Sequence, residues 1–218
     1  MGFPKGLSPF GGGSGAAPPR KGVMPSTMIH LMVAREVEPA GGALFWVGNF
    51  APDCVTEREK KDPLHLRDRV DRWAALAELR EVLGADDPLA RGWLLHLYTD
   101  TCWDARQIGL FRAWHARENP GEHWFLPYRA EIARATFWLY RALPWAEDVM
   151  GEIAEADLSA PRAALPVPVE LIDWYRARVV ERHTGSEPDS APLFYNRAGL
   201  DAFARETAER YREWMNGK

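Results

Sequence analysis

The stretch WLLHLYTD at residues 93–100 constrains the whole chain. Trp93, Leu94, Leu95, Leu97 and Tyr98 mark it as buried, yet it carries His96 and Asp100. Residues four apart share one face of a helix, so the imidazole and the carboxylate project together into the interior. Buried ionisable groups are destabilising unless they are paired or bind a metal. Two arrangements meet that requirement: a His–Asp hydrogen bond that pins the core, or two ligands of a metal centre. Both need a helix through the middle of the molecule.

The rest of the chain supplies helices to surround it. Pro25-Ser26-Thr27 offers a start for a helix whose apolar face begins with Ile29, Leu31, Met32 and Val33. Residues 69–83 place Val70, Trp73, Leu76, Leu79, Arg80 and Leu83 at helical spacing, with Gly84 to close them. Asp86-Asp87-Pro88 then opens the helix that carries LLHLYTD, proline being well suited to a first turn. Residues 128–143, 169–183 and 198–215 give three more periodic segments, the last two separated by the polar HTGSEPDSAP. Residues 160–168 read as a connector within one domain. The short apolar run at residues 43–47 fits helix or strand equally. No run of alternating strands and no internal repeat occurs. The expectation is one all-α, multi-helix domain over residues 24–218, preceded by a disordered Gly/Pro-rich tail over residues 1–23.

Composition bounds the class. The 218 residues suit one ordinary domain, and 46% hydrophobic residues suffice for a substantial core. The 27 basic and 31 acidic residues are interspersed, which argues against a nucleic-acid scaffold. No stretch of eighteen apolar residues exists to form a transmembrane helix. The N-terminal segment lacks the apolar core of a signal peptide, and Met24 offers itself as a natural start. With only Cys54 and Cys102 present, the expectation is a cytoplasmic protein with reduced thiols.

Further metal-type side chains precede the central helix. His30 lies in STMIHLM, Asp53 closes WVGNFAPD, and His65 sits in KDPLHLRD. A lone buried histidine is usually a hydrogen-bonded core residue. Three histidines and two aspartates, each beside apolar or turn residues, shift that balance towards a metal site. Their order (His30, a G-x-x-x-P-D turn ending in Asp53, an isolated His65, then helical His96-x-x-x-Asp100) resembles the zinc-dependent phospholipase C family. That family shares its all-helical fold and metal cluster with secreted single-strand nucleases. The resemblance covers roughly residues 24–104, and YRAEIARATFWLYR is also similar to intracellular relatives of the family.

The resemblance implies a first metal site of Asp53, His65, His96 and Asp100, a donor set that suits zinc, with manganese, iron or nickel as substitutes. It further implies that Asp100 bridges to a second metal bound by His30, and that Asp53 is both a ligand and a base. Secreted members complete the second site with an N-terminal tryptophan. Here 29 residues precede His30, so that completion is lacking. For a third site the chain offers His115, His123, Glu118, Glu122 and Glu131, none at a matching spacing. One or two ions are therefore expected. Asp104, eight residues after His96, is a candidate to join the cluster or to orient a ligand, set against a solvated carboxylate. Asp62 and Asp68 are candidates to accept the second N–H of His65. Tyr128 and Glu131 are candidates to face the site. Cys54 adjoins Asp53, while Cys102 points away from it as a small hydrophobe.

Other hydrolase signatures are missing from the letters. There is no His-Asp dipeptide of the HD type, no H-E-x-x-H, no P-loop, and no G-x-S-x-G in an apolar context. The expected function is metal-dependent hydrolysis of a phosphoester, a phosphodiester by preference, with Asp53 and Asp100 as its catalytic carboxylates. The substrate class is a small phosphoester or a phospholipid-type molecule. The alternative is a non-catalytic all-helical protein that retains a partial metal site for binding.

Overall fold

The computed structural model describes residues 26–83, 86–159, 165–185 and 191–217. Among the described residues the chain is helical with no strand. The elements in order are α1 (Thr27–Val37), α2 (Gly42–Gly48), a 3₁₀ turn (Ala51–Cys54), α3 (Arg58–Leu64), α4 (Arg72–Leu83), α5 (Pro88–Glu118), α6 (Phe125–Ala142), α7 (Ala146–Ala154), α8 (Val169–Gly185) and α9 (Arg197–Met215). The expected tail, the stop at Gly84 and parts of the two connectors lie outside the described residues.

Helix α5 organises the fold. Pro88 occupies its first turn, and the Asp87 side chain accepts the Leu89 N–H at 2.9 Å, supplying a partner to an end the helix cannot satisfy itself. From Leu89 to Thr101 it is buried on nearly every side, whereas Asp104 onward alternates between buried and exposed. A helix that is apolar all round belongs in the centre, and the others pack about this half. Helix α2 crosses α5, α1 lies against α9, α6 and α5, α4 covers another side of α5, and α8 packs on the 3₁₀ turn. Trp46, Trp93 and Trp103 are fully buried among these helices and fill the space between them.

The crossing of α2 and α5 is unusually close because both helices present glycine there. A Cβ on Gly92 would stand 2.3 Å from the Phe45 carbonyl oxygen, and one on Gly48 would stand 2.2 Å from that of Leu89. Only glycine permits such an approach of two backbones. This contact decides the ambiguous run at 43–47: it is helical, and it brings the end of α2 onto the face of α5 that carries His96.

Two sequence expectations are corrected here. Helix α4 begins at Arg72 rather than residue 69, so Val70 lies before it and is exposed; Trp73 is 44% exposed. Only Ala75, Leu76 and Leu83 of this helix are buried, a narrower stripe than its apolar spacing promised. The short helices α3 and α7 are not singled out by the sequence: α3 buries none of its residues, and α7, which buries Ala146, Val149, Met150 and Ile153, is only nine residues long.

Candidate metal centre

Three elements converge on the buried face of α5. Helix α1 contributes His30, the 3₁₀ turn after α2 contributes Asp53, the end of α3 contributes His65, and α5 contributes His96 and Asp100. His30, His65, His96 and Asp100 are fully buried, while Asp53 keeps a sliver of surface. The structure therefore brings together all five residues that the sequence order proposed as a cluster.

The geometry is that of ligands turned inward. His65 Nε2 lies 3.1 Å from Asp53 Oδ1 and 3.3 Å from His96 Nε2. Asp100 Oδ2 lies 3.7 Å from His65 Nε2 and 3.8 Å from His96 Nε2. Asp53 Oδ1 is 4.0 Å from His96 Nε2. On the other side, His30 Nε2 approaches Asp100 Oδ1 at 3.4 Å, and the His30 ring stacks on His96 with centroids 4.0 Å apart. Two triads of potential ligand atoms result: Asp53, His65 and His96, and His30, His96 and Asp100.

The second nitrogen of each central ring explains its orientation. His96 Nδ1 donates to the Asn49 carbonyl at 2.8 Å, and His65 Nδ1 donates to the Lys61 carbonyl at 2.9 Å. A carbonyl only accepts, so each Nδ1 carries the proton and each Nε2 presents its lone pair to the cluster. This is the arrangement of metal-binding histidines, whose other N–H is held by a carbonyl or carboxylate. The acceptor for His65 is thus a backbone carbonyl one turn back, and neither Asp62 nor Asp68. Ligands about 2.05 Å from one ion at a tetrahedral angle stand about 3.3 Å apart. The 3.1 and 3.3 Å separations fit that spacing. By contrast, Asp100 Oδ1 and both nitrogens of His30 are buried with no hydrogen-bond partner among the described residues.

Positive charge surrounds the carboxylates. Lys61 Nζ is 3.0 Å from Asp53 Oδ1, and Arg67 Nη2 is 3.4 Å from Asp100 Oδ2. Burial alone would raise the Asp53 carboxyl, but Lys61, His65 and His96 more than offset it and hold it well below the usual carboxylate range. Asp100 is likewise held low, its burial outweighed by His96, His30, Arg67 and His65. His96 is pushed down to about 3, chiefly by burial and then by His30, so at neutral pH it is a neutral ligand.

Asp104 takes neither role first considered for it. It pairs with Arg72 Nη1 at 2.8 Å and Arg67 Nη2 at 3.3 Å, and belongs to neither triad. Burial and the neighbouring Asp100 push its carboxyl up in spite of the two arginines. Glu131 is also turned elsewhere, accepting backbone N–H groups of Phe194 and Tyr195. Tyr128 does face the site region, lining a cleft of about 590 Å³ that Asp53 also lines. His115 stacks on Phe111 away from the cluster, and both cysteines are free, their thiols pushed up to about 11 mainly by burial.

Asn49, Lys61, Arg67 and Arg72 escaped the sequence reading. Nothing in the letters separates these three cations from the other basic residues, because their role comes from where a turn places them. Leu66, at φ 56°, is the visible sign of that turn. A left-handed leucine is strained, and the strain directs His65 and Arg67 on either side of it to the same cluster. Comparison with protein-family models, with curated proteins and with solved structures gives no match to this chain.

Proposed function

We propose that this protein is a metal-dependent phosphoester hydrolase, acting by preference on phosphodiesters, of the zinc-dependent phospholipase C and nuclease type. The observation that carries the reading is the pair of imidazole lone pairs 3.3 Å apart with two carboxylates beside them, each ring fixed by a backbone carbonyl. Without a cation those lone pairs face each other in a buried site, which is unfavourable. Asp53, His65, His96 and Asp100 would hold the ion, zinc by preference, with manganese, iron or nickel as substitutes. When bound, such an ion supplies Lewis acidity towards water and towards a phosphoryl oxygen.

The chain's own residues supply the remainder. Asp53 sits on the wall of the cleft together with Arg58, Lys61, Arg129 and Arg182. Asp62 lines it too, but it pairs with Arg58 as Asp53 does with Lys61, so Arg129 and Arg182 leave the cleft net positive and suited to anionic esters. Ile132, Phe137 and Tyr175 give the same cleft an apolar wall for the rest of the substrate. Asp53, ionised and beside the opening, is placed to accept a proton as the ester is attacked. Asp100, buried and ionised, faces the same two histidines and would complete the ligand set.

The test is elemental analysis of the purified protein, then a panel of chromogenic phosphomonoesters and phosphodiesters with added zinc or manganese. Turnover should vanish with chelator, and Asp53→Asn should lower kcat more than it raises KM. Activity that ignores chelator, or persists undiminished in Asp53→Asn and His65→Ala, refutes the reading. Bound metal without turnover of any ester identifies a non-catalytic binding protein instead.

A further inference from the structure

The geometry points to a centre that holds one divalent ion, on Asp53, His65, His96 and Asp100, with Arg67 and Arg72 supplying fixed positive charge beside Asp100 in place of a second ion. This rests on the reading of the cluster as a metal site, and goes beyond it in number and in the role of the arginines.

Two independent observations carry it. The first is that both triads share His96. Its Nδ1 proton is committed to the Asn49 carbonyl, so the ring offers one lone pair, on Nε2, and one lone pair binds one ion. Filling the triad of Asp53 and His65 leaves, among the described residues, only His30 and Asp100 of the cluster for any second ion. Two protein ligands make a poor site, since even open catalytic zinc sites use three.

The second observation is charge. The three buried or half-buried carboxylates already have three cations against them. Lys61 stands 3.0 Å from Asp53, Arg67 stands 3.4 Å from Asp100, and Arg72 stands 2.8 Å from Asp104 with its other nitrogen 3.9 Å from Asp100. The guanidiniums flank Asp100 Oδ2 and cannot be deprotonated near neutral pH. One divalent ion, on the Oδ2 side that faces His65 and His96, adds two positive charges to a balanced set, and a second, on Oδ1 beside His30, would double that excess within the same buried cluster. His30 then acts as a positioning residue, its ring stacked on His96 and its Nε2 directed at Asp100 Oδ1.

The experiment is titration of chelator-treated protein with zinc, with the bound metal counted after removal of excess. The wild-type chain should saturate at one tightly bound ion, and His30→Gln should keep that stoichiometry. Arg67→Met should bind zinc at least about tenfold more tightly, because it removes a cation next to a ligand oxygen. A residue that merely braces Asp100 would instead weaken binding when removed. Cobalt substitution adds a spectroscopic check: His30→Gln should leave the visible spectrum unchanged, and His65→Gln should alter it. If Arg67→Met does not fold, Arg72→Met carries the same expectation. Two tight ions per chain, loss of the ion in His30→Gln, or weaker or unchanged affinity without the arginine overturns this inference while leaving the metal site standing. No bound ion at all overturns both.

Discussion

Replacing Gly92 by alanine tests whether the crossing of α2 and α5 holds the candidate centre together. The new Cβ would lie 2.3 Å from the Phe45 carbonyl oxygen and 2.9 Å from the Asn49 nitrogen, both backbone atoms that no rotamer change can move. Restoring ordinary contact requires the helices to part by about 1 Å, an overpacking strain of about 1–3 kcal/mol. The same shift lengthens the 2.8 Å bond from His96 Nδ1 to the Asn49 carbonyl beyond hydrogen-bond range. A buried donor left unsatisfied costs about 1–3 kcal/mol. Against these stands the helix preference for alanine over glycine, about 1 kcal/mol. The net loss is about 3 kcal/mol, or a fall of about 6–12 °C in Tm for a chain of this size. Gly109, on the same helix with open space around its Cβ position, is the control. Gly109→Ala should raise Tm by about 2–4 °C through helix preference alone. Thermal melts followed by circular dichroism measure both, and zinc affinity should fall only in Gly92→Ala. A Gly92→Ala protein that melts within about 2 °C of wild type, with unchanged zinc affinity, would refute the reasoning.

Other outcomes follow from the same geometry. In metal-free protein, His96 is held at about 3 by burial and His30, against the opposing pull of Asp100 and Asp53. The unfolded chain therefore binds a proton that the folded one does not between about pH 6.5 and 3, and stability falls with acid at up to about 1.4 kcal/mol per pH unit. Asp53 and Asp100, whose carboxyls are held low, keep their contribution down to about pH 4, the unfolded carboxyl value, and lose it progressively below that. Melts from pH 7 to 4 should show this slope, and His96→Gln should reduce it by about one proton. At Leu66, the left-handed backbone should make Leu66→Gly more stable than Leu66→Ala by about 1 kcal/mol in denaturant titrations, reversing the usual order. Glu131→Gln should lose about 1–2 kcal/mol in the same titrations by weakening its bonds to the Phe194 and Tyr195 N–H groups. Its metal content should equal that of wild type, since Glu131 serves the α9 approach and not the cluster.

The arginines bear on how the site would discriminate among ions. Fixed guanidinium charge next to Asp100 penalises cations in proportion to their charge and proximity. A compact tetrahedral ion with short bonds to two imidazoles gains most from the 3.1 and 3.3 Å edges. Larger oxygen-seeking ions such as calcium gain least. Competition experiments with calcium should leave bound zinc in place.

By itself the sequence determined the helical class and the candidate ligand set. Apolar periodicity is a local property, so α6, α8 and α9 were legible in the letters to within a few residues, as were the starts of α1 and α5. The buried His96-x-x-x-Asp100 pair was legible because burial makes an ionisable group need a partner, and the glycine and proline around Asp53 marked a turn. The rest depends on contacts between elements far apart in the chain. Nothing local distinguishes the helix at residues 43–47 from a strand; the glycine-to-glycine crossing with Gly92, 44 residues away, holds it against α5. Nothing local marks Lys61, Arg67 and Arg72 among 27 basic residues. Their importance comes from distances of 2.8–3.4 Å to carboxylates on other elements, set for the two arginines by the turn through Leu66. Asp104 shows the division most plainly. Its helical spacing aims it at the cluster, but the two arginines from the α3–α4 segment meet it first, and a charge is claimed by its nearest partner in space rather than by its place in the chain.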